Sequence, residues 1–268
     1  MNGLHELPLV IFTVLAQSVV GAIIVLNVAL VQGNMKGKNK PLFVLLVLLG
    51  IGFIASVMHL GSPWRAFNSL NRVGESMLSN EIAGGAAFFT VAGFTWLFSA
   101  LGKLSANTTK ILIFVTALLG LLFMYMMNNV YHIGTVPTWN NSVTSWNFYL
   151  TVVIAGFSLG YACFHTPAWI RQLVALGVFL AVLVMLYQGF SLTDIHSSIQ
   201  TAVNLVPDFV VLNVVRLCLL IIGVWLLFRT NPNWTYLAAT LIIFGEIIGR
   251  TLFYALHMTV GTAIAGLY

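Results

Sequence analysis

Eight long apolar segments constrain the fold of this chain more than any other feature of its sequence. They run over residues 7–31, 41–60, 82–102, 110–131, 147–166, 169–190, 209–228 and 235–258. A helix of roughly 20 apolar residues crosses the hydrocarbon core of a bilayer. Because backbone polar groups in lipid need partners within their own segment, each run is predicted to be a helix. The sequence therefore predicts an all-α, polytopic integral membrane protein with eight transmembrane helices, forming a single domain over residues 1–268.

The composition argues against several other classes of protein. Charged residues make up only 6% of the chain, against about 25% in a soluble domain. The net charge of +5 comes from short loops without a basic stripe, which does not favour nucleic-acid binding. Cys163 and Cys218 lie inside apolar runs without CxxC spacing, so neither a disulfide framework nor a metal site is expected. The first apolar segment follows no basic stretch and is expected to be a retained helix, not a signal peptide.

The distribution of charge predicts how the helices are oriented in the membrane. An even number of spans puts both termini on one side. The loops of the opposite side carry basic residues and no acid, namely Lys36, Lys38, Lys40, Lys103, Lys110, Arg171 and Arg229. Lysine and arginine mark the cytoplasmic side of a membrane protein. Both termini are therefore predicted to face outward, and so are most of the acidic residues.

Several titratable side chains are predicted to meet at this outer side. His59 ends the second helix and Glu81 opens the third, so the two side chains can lie at the same depth. Each has a structural alternative, because histidine suits a helix C-terminus and an acidic residue suits the first turn of a helix. Together they resemble half of a polar pocket. Further candidates at this depth are Arg65, Asn80, Arg216, Tyr254 and His257.

Glu246 and Arg250 are the ionisable residues placed deepest in the membrane. They lie one turn apart on the last helix, and Glu246 falls near the middle of the bilayer. Two interpretations stay open, because such a pair either locks its helix to neighbouring helices or lines a cavity with a functional role. A transmembrane solute or ion transporter is the functional alternative that this pair favours.

Oxidation of a quinol is a chemistry that suits the outer group of residues. The reaction needs a proton acceptor, hydrogen-bond partners for the ring oxygens and an apolar slot open to lipid, and histidine or a partly buried glutamate fits the proton role. The chain lacks the four cysteines that an iron–sulfur cluster needs. A cytochrome b with haem held by His59 and His257 is the rival hypothesis, but the sequence provides no second pair for a two-haem stack.

Five stretches of the sequence are distinctive, namely "HELPLVIFTVLAQ", "IGFIASVMHLGSPWRAFNSLNRVGESMLSNEIAGGAAFF", "TVPTW", "IHSSIQTAVNLVPDF" and "GEIIGRTLFYALHMTVG", in this order. They resemble the DmsC family, the membrane anchor subunits of bacterial dimethyl sulfoxide reductases. The related PsrC and NrfD anchors have a different helix pattern. The resemblance implies an inner-membrane anchor with both termini periplasmic, which oxidises menaquinol and contains no haem. It also implies a ferredoxin-like partner with four 4Fe-4S clusters and a molybdopterin catalytic subunit.

The resemblance assigns roles to particular residues of this protein. A histidine after the second helix and a glutamate opening the third are implicated at the quinol site of the family, and they correspond to His59 and Glu81. The loop between them is then expected to be a docking surface for the iron–sulfur subunit as well as a rim of the site. Its candidate docking residues are Arg65, Asn68, Asn71 and Arg72.

Overall fold

The computed structural model describes residues 3–33, 37–59, 63–164, 166–194, 205–229 and 231–259. Within these residues it contains eight helices that are long and apolar enough to cross a membrane. They are α1 Leu7–Val31, α2 Asn39–His59, α3 Met77–Ala100, α4 Ala106–Val130, α5 Ser142–Cys163, α6 Trp169–Asp194, α7 Phe209–Leu227 and α8 Pro232–Ala255. The prediction of an all-α membrane protein with eight spans is confirmed.

The largest differences from the predicted helix starts are at α3 and α5. The first residue of α3 is Met77 and that of α5 is Ser142, each five residues before the predicted start. Polar residues in both first turns lower the local hydropathy, so the apolar segment begins later in the sequence than the helix does. Leu60 and His165, which fell inside two predicted segments, lie outside the described residues.

Local sequence signals explain where several helices begin and end. Side chains cap three helix N-termini: Ser105 accepts a hydrogen bond from the Thr108 N–H, and Asn141 and Asn231 begin α5 and α8 in the same way. Such caps satisfy amides that have no partner within the helix. Gly33 and Gly102 follow the ends of α1 and α3 with φ of +86° and +67°, a conformation that glycine adopts without steric cost.

Helix α1 forms the centre of the bundle and packs against α2, α4, α5 and α8. Its closest approach is to α5, where a Cβ added to Gly156 would lie 2.5 Å from the Gly21 Cα. Small residues at such a crossing let two membrane helices pack backbone against backbone. A π-helical turn, Val152–Gly156, interrupts α5 at this crossing. It follows Thr151 directly, a residue that belongs to the buried polar network described below.

Helix alternation gives the bundle two different ends. The end where α1 begins and α2 finishes is called here the His59 end, and it includes Glu6, His59 and His257. The opposite end, called the lysine end, carries Lys38, Lys40, Lys103, Lys110, Arg171 and Arg229. Among the described residues, every acidic side chain outside the helices therefore lies at the His59 end.

Candidate functional site

A cavity of about 650 Å³ opens at the His59 end, between α1, α2, α3, α4 and α8. This volume lies within the range of roughly 300–1,000 Å³ that is typical of small-molecule sites. Most of the cavity wall is apolar. Its polar or aromatic lining includes Glu6, Phe12, Phe53, Ser56, His59, Ser69, Glu81, Phe89, Thr90, Tyr131, Trp139, Tyr254 and His257.

The cavity brings together four of the residues singled out from the sequence. His59 reaches it from the end of α2, Glu81 from the start of α3, and Tyr254 and His257 from the end of α8. Glu6, which precedes α1, and Tyr131, which follows α4, also line the cavity but were not predicted from the sequence. Both residues lie at helix ends on the side where the other candidates were placed, and that position was the signal that could have identified them.

His59 lies within salt-bridge distance of Glu6 across the cavity rim. The distance between His59 Nε2 and Glu6 Oε2 is 3.2 Å, and both side chains are partly exposed. A short 3-10 turn, Gly3–Glu6, places the carboxylate above the start of α1. The imidazole at the end of α2 is therefore held by a carboxylate from a different helix end, 53 positions earlier in the sequence (59 minus 6).

Glu81 is deeply buried at the His59 end, with only 4% of its surface exposed. It occupies the second turn of α3, because the helix begins at Met77; the alternative of a first-turn acid that interacts with the helix dipole is therefore wrong. The buried face of α3 continues from Glu81 through Gly84 to Phe88, which turns the carboxylate inward. Glu81 Oε1 has no hydrogen-bond partner among the described residues. A buried carboxylate oxygen without a partner is unusual and points to a ligand.

An aromatic cluster forms the wall opposite α3. The hydroxyl groups of Tyr131 and Tyr254 are hydrogen-bonded to each other. The Trp139 indole N–H donates to the Phe253 carbonyl at 2.9 Å, and the two rings stack with their centroids 5.2 Å apart. Tyr131, Trp139 and Tyr254 all line the cavity. This wall is rigid because each of these three polar groups has a partner within it.

His257 packs edge-on against Trp139, with the ring centroids 4.6 Å apart. Burial lowers the pKa of His257, and the negative charge of Glu6 opposes this effect only in part. The imidazole is therefore expected to be uncharged near neutral pH, since its ordinary pKa is about 6.5. A neutral imidazole can either donate or accept a hydrogen bond at the cavity.

A second group of polar residues is buried deeper in the bundle and does not line the cavity. Arg216 of α7 forms a salt bridge with Glu246 of α8, with 3.1 Å between Nη2 and Oε1. The sequence spacing had suggested that Arg250 pairs with Glu246, and this was wrong. Arg250 instead donates to Gln17 Oε1 at 2.8 Å. Thr151 connects the two halves, because its hydroxyl donates to Glu246 Oε2 at 2.5 Å and lies 3.4 Å from Arg250 Nη2.

This network joins four helices around buried charge. Gln17 belongs to α1, Thr151 to α5, Arg216 to α7, and Glu246 and Arg250 to α8. All five residues are buried. Hydrogen bonds between such buried groups offset the cost of removing them from water.

Two neighbours fix the arginine side chains of this network. The Arg250 guanidinium lies over the Phe148 ring, with Cζ 3.6 Å from the centroid, a cation–π contact. The Arg216 guanidinium lies against Gly249, where an added Cβ would come within 2.5 Å of its Cζ. Glycine at position 249 therefore leaves the space through which Arg216 reaches Glu246.

The sequence profile of the family described as "DMSO reductase anchor subunit (DmsC)" matches residues 1–256 of this protein. The match covers all eight helices and every described residue of the cavity lining except His257. The chain belongs to the DmsC anchor subunit family. The resemblance stated from the sequence motifs is thereby confirmed.

Individual relatives of this anchor subunit agree over nearly the whole length. The protein is 54% identical to the C subunit of an anaerobic dimethyl sulfoxide reductase of Haemophilus influenzae, over 99% of both proteins. It is 48% identical to the YnfH subunit of an anaerobic dimethyl sulfoxide reductase of Escherichia coli, again over 99% of both. It is 45% identical to an anaerobic dimethyl sulfoxide reductase C subunit of the same organism, over 98% of this protein and 99% of the relative.

Among the described side chains, Asn68, Asn71, Arg72 and Asn80 do not line the cavity. Asn80 Oδ1 accepts a hydrogen bond from the Gly74 N–H at 2.6 Å, so Asn80 fixes the loop before α3. Asn68, Asn71 and Arg72 belong to a 3-10 helix, Pro63–Arg72, that leads into this loop, and Asn71 and Arg72 are exposed there. The Arg65 side chain lies outside the described residues, although its backbone belongs to the same helix.

The described part of the anchor subunit offers no cluster of three or more histidine, cysteine or acidic side chains that could hold a metal ion. Cys163 and Cys218 are both free thiols. The polar chemistry that the cavity lining offers is that of imidazole, carboxylate, phenol and hydroxyl groups.

Proposed function

We propose that this anchor subunit binds menaquinol in the cavity at the His59 end and oxidises it. One observation carries the proposal. An apolar cavity of about 650 Å³ has His59 at its rim and Glu81 in its wall. One carboxylate oxygen of Glu81 has no hydrogen-bond partner among the described residues. A quinol headgroup presents two hydroxyl groups on a flat apolar ring, and this lining offers matching contacts. Phe12, Phe53 and Phe89 form apolar walls for the ring.

His59 and Glu81 accept the two protons that the quinol loses. The buried Glu81 oxygen takes one hydroxyl as its hydrogen-bond donor, while His59 meets the other near the rim. Proton acceptors of this kind contribute about 10²–10⁴-fold to a rate. The hydrogen-bonded Tyr131 and Tyr254 hydroxyls provide a further polar contact on the opposite wall. His257 supports the same wall.

The quinol enters from the lipid between α2 and α3. Val57 of α2 and Leu78 of α3 both line the cavity, and 42% and 48% of their surfaces are exposed. A gap lined by apolar side chains that face lipid suits a substrate dissolved in the membrane. Access from this direction leaves the charged rim free for proton release and for contact with a partner subunit.

The electrons pass to a partner subunit with 4Fe-4S clusters, which in turn supplies a molybdopterin catalytic subunit. The relatives are named as parts of anaerobic dimethyl sulfoxide reductases, and this protein is proposed to serve anaerobic respiration in the same way. The iron–sulfur subunit docks at the His59 end, where Arg65, Asn68, Asn71 and Arg72 contact it. We place this end on the periplasmic face of the inner membrane, since lysine and arginine at the lysine end mark the cytoplasm.

Substitutions at the two proton acceptors test the quinol site. His59→Ala and Glu81→Gln complexes should assemble normally but reduce the partner's clusters with a menaquinol analogue at least about 100-fold more slowly. Glu75→Gln is the matched control, because the Glu75 side chain is 74% exposed at the same end and does not line the cavity. Wild-type turnover in both variants would show that the quinol is not oxidised in this cavity.

A charge reversal tests the docking surface. Arg72 is exposed, and its guanidinium lies 3.6 Å from the carboxylate of the nearby Glu75. Arg72→Glu should weaken copurification of the iron–sulfur subunit, whereas Lys103→Glu at the lysine end should leave it unchanged. Equal loss in both variants would indicate a general defect and contradict a specific docking role at the His59 end.

The two rival functions have weaker support. A transporter was suggested by Glu246 near the middle of the membrane, but Glu246 is bonded to Arg216 and Thr151 and lies outside the cavity. A haem between His59 and His257 would compete with the contact of His59 Nε2 with Glu6. We expect the purified complex to contain no haem in this subunit, and an absorption spectrum with a Soret band would contradict that expectation.

A further inference from the structure

The contact between Glu6 and His59 differs in kind from the ion pair of Arg72 and Glu75 at the same end. Arg72 and Glu75 are three residues apart in one loop, and their side chains are 72% and 74% exposed. Glu6 and His59 come from two different helix ends, and only 22% and 34% of their side chains are exposed. Both line the cavity. A contact that the fold assembles at a cavity rim, and partly shields from water, can influence the chemistry inside it.

The geometry of this pair decides which imidazole nitrogen can act as a base. Glu6 Oε2 lies 3.2 Å from His59 Nε2. A carboxylate accepts hydrogen bonds, so Nε2 carries the proton in this contact. The neutral imidazole then has its lone pair on Nδ1. A carboxylate that fixes the tautomer of a neighbouring histidine also stabilises the imidazolium that forms when the histidine takes up a proton.

We propose that Glu6 is a positioning residue for quinol oxidation, which holds His59 with Nδ1 as the proton acceptor and stabilises the imidazolium. The proposal rests on the proposed function of the cavity. The O–H bond of one quinol hydroxyl breaks as an N–H bond forms at His59 Nδ1, and the second proton goes to Glu81. The two electrons pass one at a time to the iron–sulfur cluster of the partner. The imidazolium releases its proton to water at the rim, the quinone leaves, and Glu81 then gives up its proton to water that enters the emptied cavity.

Other titratable groups face the same cavity from the neighbouring elements. They are Glu81 on α3, Tyr131 after α4, Tyr254 on α8 and His257 after α8. Among the described residues, Glu6 is the acidic group within salt-bridge distance of His59. Glu6 therefore contacts His59 directly, while its negative charge also acts on His257.

The test is the pH dependence of quinol oxidation in the intact complex. A reduced naphthoquinol analogue is mixed with the oxidised complex at pH values from about 5 to about 9, and reduction of the iron–sulfur clusters is followed. Glu6→Gln should move the acidic limb of the rate profile to lower pH, because the imidazolium loses the carboxylate that faces it. It should also lower the plateau by roughly three- to tenfold, because the remaining base is weaker. Glu6→Asp should restore most of the plateau with a smaller shift in the same direction, and Glu75→Gln should not alter the profile.

A double variant separates this role from a structural one. In the His59→Ala background, Glu6→Gln should cause no further loss, since the residue on which it acts is gone. An unshifted profile in Glu6→Gln, together with a strong defect in His59→Ala, would overturn the role of Glu6 and leave the quinol site intact. Wild-type turnover of His59→Ala would instead overturn the proposed function itself. If the Glu6→Gln complex does not assemble, the pH profile of Glu6→Asp is the test instead, because the shorter side chain lengthens the contact with His59. A Glu6→Asp profile that superimposes on the wild type would refute the role.

Discussion

Substitution of Gly249 by alanine should break the buried salt bridge without removing any charge. The new Cβ would lie 2.5 Å from Arg216 Cζ and 2.6 Å from Arg216 Nε, whereas ordinary van der Waals contact begins at 3.4 Å. The guanidinium therefore has to move away by roughly 1 Å, the difference between these distances. The bond from Arg216 to Glu246 is 3.1 Å long, so a shift of this size is enough to open it.

The expected cost follows from three contributions. Loss of a hydrogen bond between charged groups costs about 1.5–3 kcal/mol. The longer separation weakens the Coulomb attraction by about 1 kcal/mol at an effective dielectric constant of roughly 20. Replacement of a helical glycine by alanine favours the folded state by up to about 1 kcal/mol. The net destabilisation is then about 2 kcal/mol, which corresponds to a fall of roughly 4–8 °C in the unfolding midpoint of a protein this long.

Thermal unfolding of the detergent-solubilised complex, followed by tryptophan fluorescence, measures this effect. Gly93→Ala is the control, because a Cβ at Gly93 of α3 meets nothing within 4 Å; it should be neutral or slightly stabilising. The same substitution at Gly249 should become nearly harmless in a background with Arg216→Met and Glu246→Met, which replaces the ion pair by apolar side chains. An equal cost in both backgrounds would refute the role of the salt bridge.

Three further predictions concern other parts of the structure. Gly156→Ala should prevent normal assembly, because its Cβ would lie 2.5 Å from the backbone of Gly21, which cannot move aside as a side chain can; copurification of the complex measures this. Trp139→Phe should cost about 1–3 kcal/mol in thermal unfolding, since the Phe253 carbonyl loses its hydrogen bond. His257→Gln should reduce the loss of stability as the pH falls from about 7.5 to about 5.5. Burial lowers the pKa of His257, so the unfolded state binds the proton more readily and the wild type is destabilised as the pH falls below about 6.5.

Each of these three predictions would be contradicted by a specific result. A Gly156→Ala complex as stable as the wild type would mean that α1 and α5 do not cross as closely as the structure has it. Unchanged stability of Trp139→Phe would show that the indole N–H contributes little to the aromatic wall. If the stability of the wild type and of His257→Gln depends on pH in the same way, burial of the His257 imidazole is not the cause of the loss of stability at low pH.

The sequence by itself determined the number and type of the helices. Membrane-spanning helices satisfy their own backbone hydrogen bonds, and their apolar length is visible in a single stretch of sequence. The candidates His59, Glu81, Tyr254 and His257 could be identified for a related reason. Alternation of the spans assigns each helix end to one side of the membrane, so residues far apart in sequence can be placed at the same depth.

Only the tertiary structure decided which of these residues touch. Depth along a helix does not fix the direction in which a side chain points, and that direction depends on how neighbouring helices rotate and cross. The pairing of Glu246 with Arg216 instead of Arg250, and that of His59 with Glu6, depend on such contacts between helices. Gly249 is a similar case. A glycine is required at this position because Arg216 of another helix lies against it, and the sequence alone does not show that contact. Spacing within one helix contains no information about these approaches, since they are set by packing between helices.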